Sequence, residues 1–307
     1  MAVLNESFRQ SHEVTDETFV SSEGVEVSYL RRRHGSDTLV IWFSAFTRGP
    51  HLGRVLKVTP GFHGYKFSKS HDEFDWLLVR DSWGYTQDGT YYGGRAGDLF
   101  VERAVSECVQ HFVEEQRRMN PRSVVVAMGS SMGAFAAIKF GVLHGIPAFG
   151  WSPHLDVEIA MKYCGRGPWV RFCLENASEA DQVAYLERMK DVVDAHQTAL
   201  PRLILQVAED DPFVYPEQVT PFVDRYRSHG GSVQLDLRER GGHSSIHVPD
   251  EYIVSALRSL AAEHVLDLAA MRLLPSRKLS FRERFERFLQ SIEGLVLRLL
   301  RIIGLRR

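Results

Sequence analysis

Ser123-Val124-Val125-Val126-Ala127-Met128-Gly129-Ser130-Ser131-Met132-Gly133-Ala134-Phe135-Ala136-Ala137-Ile138 is the stretch whose reading decides the fold. Its first six residues are an apolar, largely β-branched run that reads as a strand, and its last five read as a helix. Between them stands G-x-S-x-G, residues 129 to 133. A strand that passes into a helix through this pattern is the setting of a nucleophile elbow. The turn is so tight that its central residue takes a strained backbone conformation, and glycines on either side keep side chains clear of strand and helix. Ser131 then stands above the sheet at a helix N-terminus, where backbone amides can stabilise an oxyanion. A plain Gly/Ser turn is the competing reading; the flanking strand and helix favour the elbow.

Working outward, seven strand-like runs appear in order: Val25–Arg31, Thr38–Phe43, Trp76–Arg80, Ser123–Met128, Ala148–Trp151, Arg202–Val207 and Ser232–Leu237. Several are continuous and β-branched, as strands buried on both faces are. Helix-like segments lie between them at Asp98–Met119, Met132–His144, Ser178–His196, Pro216–His229 and Pro249–His264. This alternation predicts an α/β fold with a mainly parallel central sheet and helices on both faces. Sites in such sheets lie at the carboxyl ends of strands. The stretch from Ser152 to Asn176 breaks the alternation with Pro153, Gly165, Gly167, Pro168 and Trp169, and reads as a small cap over the site.

A serine hydroxyl needs an adjacent base, and the base needs an orienting acid. After the strand Arg202–Val207 comes Ala208-Glu209-Asp210-Asp211-Pro212-Phe213-Val214, and after Ser232–Leu237 comes Arg240-Gly241-Gly242-His243. Serine, acid, histidine in that chain order, each just past a strand end, resembles the α/β-hydrolase superfamily over about residues 25–265. The resemblance implies Ser131 as nucleophile, Asp211 as acid and His243 as base. Asp210 is the alternative acid, with Asp211 capping the Pro212 turn. His247 is the alternative base, although Gly241-Gly242 lets the backbone bend His243 towards Ser131. The oxyanion would meet the backbone amide of Met132 and that of Ala45 or Phe46. These last two follow the strand Thr38–Phe43, where the superfamily's frequent His-Gly is replaced by Ser44-Ala45-Phe46.

The loop from Arg80 to Gly94 follows another central strand and carries Trp83, Tyr85 and Tyr91 among polar residues. With Trp151 these aromatics are candidates for stacking on a polar ring such as a sugar; a loop packed by its own aromatics is the bland alternative. The loop and elbow together resemble, over residues 38–150, hydrolase-like proteins of bacterial surface-glycan and accessory Sec pathways, some of which are O-acyltransferases. Two enzymatic expectations follow: a serine esterase acting on an ester or thioester, and an O-acyltransferase modifying a surface glycan or glycoconjugate. A third is a non-catalytic scaffold, although such proteins usually lose a triad member.

Composition narrows the rest. At 307 residues, 44% hydrophobic and 25% charged, the chain is ordinary for a globular protein. Cys108, Cys164 and Cys173 show no C-x-x-C spacing, which fits reduced thiols. The 13 histidines are scattered, with no H-E-x-x-H, no paired Cys/His spacing, no G-x-G-x-x-G and no P-loop, so neither a metal nor a nucleotide cofactor is expected. Net charge is −2, yet Met271–Arg307 holds ten Lys/Arg against three Asp/Glu. An acidic body with a basic end does not read as a nucleic-acid-binding domain. Phe281, Phe285, Phe288, Leu289, Ile292, Leu295, Val296, Leu299, Leu300 and Ile303 recur at three- and four-residue steps, with arginines mostly off that stripe. A hydrolase domain over 1–270 and a basic amphipathic C-terminal helix over 271–307 are therefore expected. Residues 281–307 suit an anionic membrane surface; packing on the body and pairing as a homodimer are the alternatives. Met1–Gln10 shows no basic stretch leading into an apolar one, so the expected location is the cytoplasm, peripheral at the inner face of the membrane.

Overall fold

The computed structural model describes residues 17–46, 62–84, 89–163, 167–243, 248–272 and 274. Eight strands form one sheet: β1 (Glu17–Val20), β2 (Glu26–Arg32), β3 (Thr38–Phe43), β4 (Asp75–Arg80), β5 (Val124–Ser130), β6 (Ala148–Trp151), β7 (Leu203–Ala208) and β8 (Val233–Arg238). Their spatial order is β1-β2-β4-β3-β5-β6-β7-β8. β2 runs antiparallel to β1 and β4, and every other neighbouring pair is parallel. Successive side chains on a strand point to opposite faces. Leu39, Ile41 and Phe43 of β3 accordingly enter one core, and Val40 and Trp42 the other. The seven runs legible as strands all appear, shifted by no more than two residues at either end. The edge strand β1 was missed because it is short and largely exposed, with no buried alternation to mark it.

Helices cover both faces. On one side lie α2 (Phe100–Met119), α3 (Met132–His144), α4 (Val157–Tyr163), α5 (Gly167–Leu174), α6 (Glu179–Asp194) and α7 (Thr220–Ser228). α1 (Tyr65–Ser70) and α8 (Asp250–Ala261) pack on the other side, and α9 (Leu268–Arg272) follows. In α2 the buried positions Val101, Ala104, Val105, Cys108, Val109, Phe112 and Val113 recur every three or four residues, the stripe of a helix with one wet face. α3 differs, for everything from Met132 to Val142 is buried. A helix apolar on all sides sits inside the molecule, and α3 is held between the sheet and its neighbouring helices.

One reading gains detail and one changes. Residues 152–176, read from the sequence as a small cap, contain α4 and α5, and Leu155, Val157, Ala160, Val170 and Cys173 are buried in the same core as α2 and α3. The single helix expected over Pro216–His229 instead begins as a π-helical turn, Tyr215–Val219, before α7. The amphipathic stretch 281–307, Tyr85, His247 and Cys164 lie outside the described residues. Among those described, no helix is long and apolar enough to cross a membrane.

Candidate active site

Ser131 lies between β5 and α3 with φ 53° and ψ −119°. A non-glycine residue in that region is strained and persists only where its surroundings over-determine it. Here the surroundings are specific. A Cβ on Gly129 would come within 2.4 Å of the Gly133 backbone, and one on Gly133 within 2.2 Å of the Phe43 carbonyl oxygen. Both glycines of the motif are therefore needed so that strand, turn and helix can touch. The end of β6 holds the strained residue from both sides. Ser131 N–H donates to the Trp151 carbonyl at 3.1 Å, and His154 N–H donates to the Ser131 carbonyl at 3.3 Å.

From this turn the Ser131 hydroxyl lies 3.0 Å from His243 Nε2, and His243 Nδ1 lies 2.8 Å from Asp211 Oδ2. Facing a carboxylate, Nδ1 carries the proton, which leaves the Nε2 lone pair for the serine hydroxyl. Asp211 is buried, whereas His243 is exposed. Asp210 has a different task. Its Oδ1 accepts the Gly242 N–H at 2.7 Å, and that bond, first among several backbone contacts, holds its carboxyl below the usual range. Gly241 at φ 149° and Gly242 at φ 54° make the turn that brings His243 over the elbow. One aspartate thus contacts the imidazole and its neighbour fixes the backbone that carries it.

Met132 is the first residue of α3, and the opening N–H groups of a helix have no acceptor within it. The close approach of Gly133 to the Phe43 carbonyl sets the end of β3 against this helix start. In the segment that follows, the Ser44 amide donates to the Val79 carbonyl at 2.9 Å, and the Ser44 carbonyl accepts from Tyr92 Oη at 3.0 Å. With Ser44 engaged, Ala45, half-buried, and Phe46, buried, supply the next amides of the loop.

No protein-family model and no curated protein sequence matches the chain. Solved structures do. The capsule O-acetyltransferase of Neisseria meningitidis serogroup A is similar with a TM-score of 0.59 at 16% identity, over 76% of this chain and 95% of that one. Acetyl xylan esterase 1 from Thermoanaerobacterium gives 0.54 at 13% identity, over 80% of this chain and 82% of that one. The acylaminoacyl peptidase of Pyrococcus horikoshii gives 0.57 at 11% identity, over 84% of this chain but 44% of that one. The chain has the α/β-hydrolase fold.

Within this α/β-hydrolase fold, the loop after β4 is organised by Asp81. Its buried carboxylate accepts from the N–H groups of Trp83 (3.2 Å), Thr90 (2.5 Å) and Tyr92 (2.8 Å), and from Thr90 Oγ1 (3.2 Å). Burial pushes the Asp81 carboxyl up, and these donors oppose the rise. The result corrects the expectation of aromatic stacking for Tyr91 and Trp151. Tyr91 is 3% exposed, with its hydroxyl 3.1 Å from His154 Nδ1. Trp151 is also 3% exposed and packs edge-on against Trp42, ring centroids 5.7 Å apart. Neither ring offers an open face to a substrate. Trp83 is 37% exposed, but its indole N–H donates to the Glu26 carbonyl at 3.2 Å and its ring rests on Phe100.

Two features of the site and its support escaped the sequence reading. His154, 1% exposed, stacks on His243 with centroids 4.4 Å apart and planes 20° apart. Its position three residues past β6, at the carboxyl end of the sheet, was the available signal. The other is a buried ion cluster. Lys139 Nζ lies 2.8 Å from Glu102 Oε2 and donates to the Tyr92 carbonyl at 2.7 Å, while Arg188 grips the same Glu102 with Nε and Nη2. It joins α2, α3 and α6 to the loop that carries Tyr91.

Proposed function

We propose that this protein is a serine hydrolase that cleaves an ester or thioester through an acyl-enzyme on Ser131. The observation that carries the reading is the continuous chain Ser131 Oγ–His243–Asp211, at 3.0 Å and 2.8 Å, on a strained elbow. His243 Nε2 takes the hydroxyl proton as Oγ attacks the carbonyl carbon, and Asp211 keeps the imidazole in the right tautomer and stabilises the imidazolium. The tetrahedral oxyanion faces the amides of Met132 and of Ala45 or Phe46. Collapse breaks the bond to the leaving alkoxide or thiolate, which His243 reprotonates. Water, deprotonated by His243, then attacks the acyl carbon and returns Ser131. With all three side chains present and within hydrogen-bond reach, nothing in the geometry favours a non-catalytic scaffold.

A second reading, transfer of the acyl group to an acceptor hydroxyl, uses the same first half-reaction. It draws on the likeness to the meningococcal capsule O-acetyltransferase, which extends over nearly the whole of that chain. Burial of Tyr91 and Trp151 removes two of the four aromatics that had favoured a sugar acceptor. Incubation with an activated acetyl ester, with and without polysaccharide, separates the two readings. Release of free acetate at a rate indifferent to the glycan supports the hydrolase; acetylated glycan formed faster than acetate supports transfer. No Ser131-dependent turnover in either case removes both. In the same reading, the basic and apolar composition of residues 281–307 supports attachment to an anionic membrane surface.

A further inference from the structure

We propose that His154 and Tyr91 are positioning residues that hold the His243 imidazole, His154 as a flat platform beneath it and Tyr91 as the lock on that platform. The inference rests on the reading of His243 as the general base. His243 arrives on a two-glycine turn whose backbone Asp210 holds, and its side chain is 35% exposed, so the setting of the ring itself rests on what the ring touches. What the ring lies against is His154, stacked at 4.4 Å. That platform is referenced to the nucleophile itself, because the His154 amide donates to the Ser131 carbonyl. Rotation of the His154 ring is fixed by the Tyr91 hydroxyl on Nδ1 at 3.1 Å. Tyr91 in turn packs edge-on against Phe135 of α3, centroids 5.7 Å apart, and its carbonyl lies 3.4 Å from Lys139 Nζ. Both anchors of Tyr91 belong to the helix that begins at the elbow.

The chemistry suits the arrangement. When the Ser131 proton reaches Nε2, the His243 ring becomes a cation with Asp211 at Nδ1, Ser131 at Nε2 and the face of His154 below. Asp210, bonded to Gly242 with Arg240 beside it, adds further charge at that turn. A cation over a flat aromatic face is attracted to it. Two stacked cations would repel, so the platform favours the imidazolium that forms only during reaction when His154 itself carries no charge.

The test compares His154→Leu with His154→Phe in the full chain. Leucine fills the space without a flat face; phenylalanine restores the face. Leucine should lower kcat by roughly 10- to 100-fold, the scale of a misplaced catalytic group, with KM nearly unmoved, as for an interaction made only in the transition state. Phenylalanine should recover most of the loss. In NMR, the His243 Hε1 signal should carry an upfield ring-current shift in the wild type and His154→Phe that is absent in His154→Leu. If leucine fails to fold, His154→Gln, which also lacks a ring, replaces it with the same expectation. Tyr91→Phe should slow the wild type yet add nothing in the His154→Phe background, because it acts through the lost Nδ1 contact. Equal rates and equal Hε1 shifts in the ringless and phenylalanine variants would overturn the proposal, leaving His154 as filling. The NMR readout needs no turnover. An inactive wild type with its ring shift intact counts against the hydrolase reading and upholds the platform; an active protein whose ringless variants keep rate and shift counts against the platform alone.

Discussion

Asp210 and Asp211 are adjacent in the chain, and only geometry divides their work. Asp211 is buried against His243, and exposed Asp210 ties down Gly242. Asp211→Asn should lower kcat by about 10⁴-fold, as expected when the imidazole loses its orienting carboxylate, whereas Asp210→Asn should lose far less. Steady-state kinetics on a short acyl ester reads the difference; equal losses would mean the assignment of the acid is wrong. Ser131 and His243 were legible because glycines bracket one and precede the other at strand ends. His154 was not, since a single histidine after Pro153 has no pattern of its own and matters through what it stacks on. Tyr91 was misread for a related reason. Its backbone is left-handed, at φ 54°, and turns the ring inward, which a list of aromatics in a polar loop cannot show.

Among the elements, the elbow and the loop after β4 depend on contacts that sequence spacing reveals unequally. The glycines at 129 and 133 could be read directly, and the structure adds their dimension. Because a Cβ at Gly133 would strike backbone at 2.2 Å, Gly133→Ala should destabilise the fold by about 1–3 kcal/mol or more, the usual cost of overpacking. Urea denaturation measures it, and a variant as stable as the wild type would contradict the close approach of β3 and α3. The Lys139–Glu102–Arg188 cluster was not legible, because its partners come from three helices far apart in the chain. Burial opposes ionisation of Glu102, but the charges of Lys139 and Arg188 outweigh it and hold the carboxyl below its ordinary value of 4.5. A depressed folded-state value stabilises the protein above the unfolded value, and the contribution is lost as pH falls through the folded one. Glu102→Gln should cost about 3–5 kcal/mol at neutral pH, where it strands Lys139. The gap from the wild type should close as pH falls below 4.5. A gap that stays constant with pH would show that the charge of Glu102 contributes nothing.

At the scale of the whole molecule, alternating buried strands and helices made the parallel sheet readable from the sequence, and the sheet's geometry places Ser131, Asp211 and His243 past the carboxyl ends of β5, β7 and β8. A break in the alternation marked the insertion between β6 and α6, but not its two short helices, because Gly167 and Pro168, residues that usually mark loops, open the second of them. The basic end of the chain is separable in this account. Met271 and Leu274 pack on the second core, and Arg272 contacts Asp236 at 3.2 Å. A chain ending at Leu274 should therefore fold and keep its activity on small esters, while the full chain alone co-sediments with anionic vesicles and is released by high salt. Loss of folding on truncation would instead make the stripe part of the core. The central claim is that Ser131 is a nucleophile activated by His243 and Asp211, and covalent labelling tests it most directly. Intact-mass spectrometry after incubation with a fluorophosphonate should show one adduct on the wild-type protein and none on a folded Ser131→Ala variant. An unlabelled wild type, or a Ser131→Ala variant labelled as fully as the wild type, would contradict it.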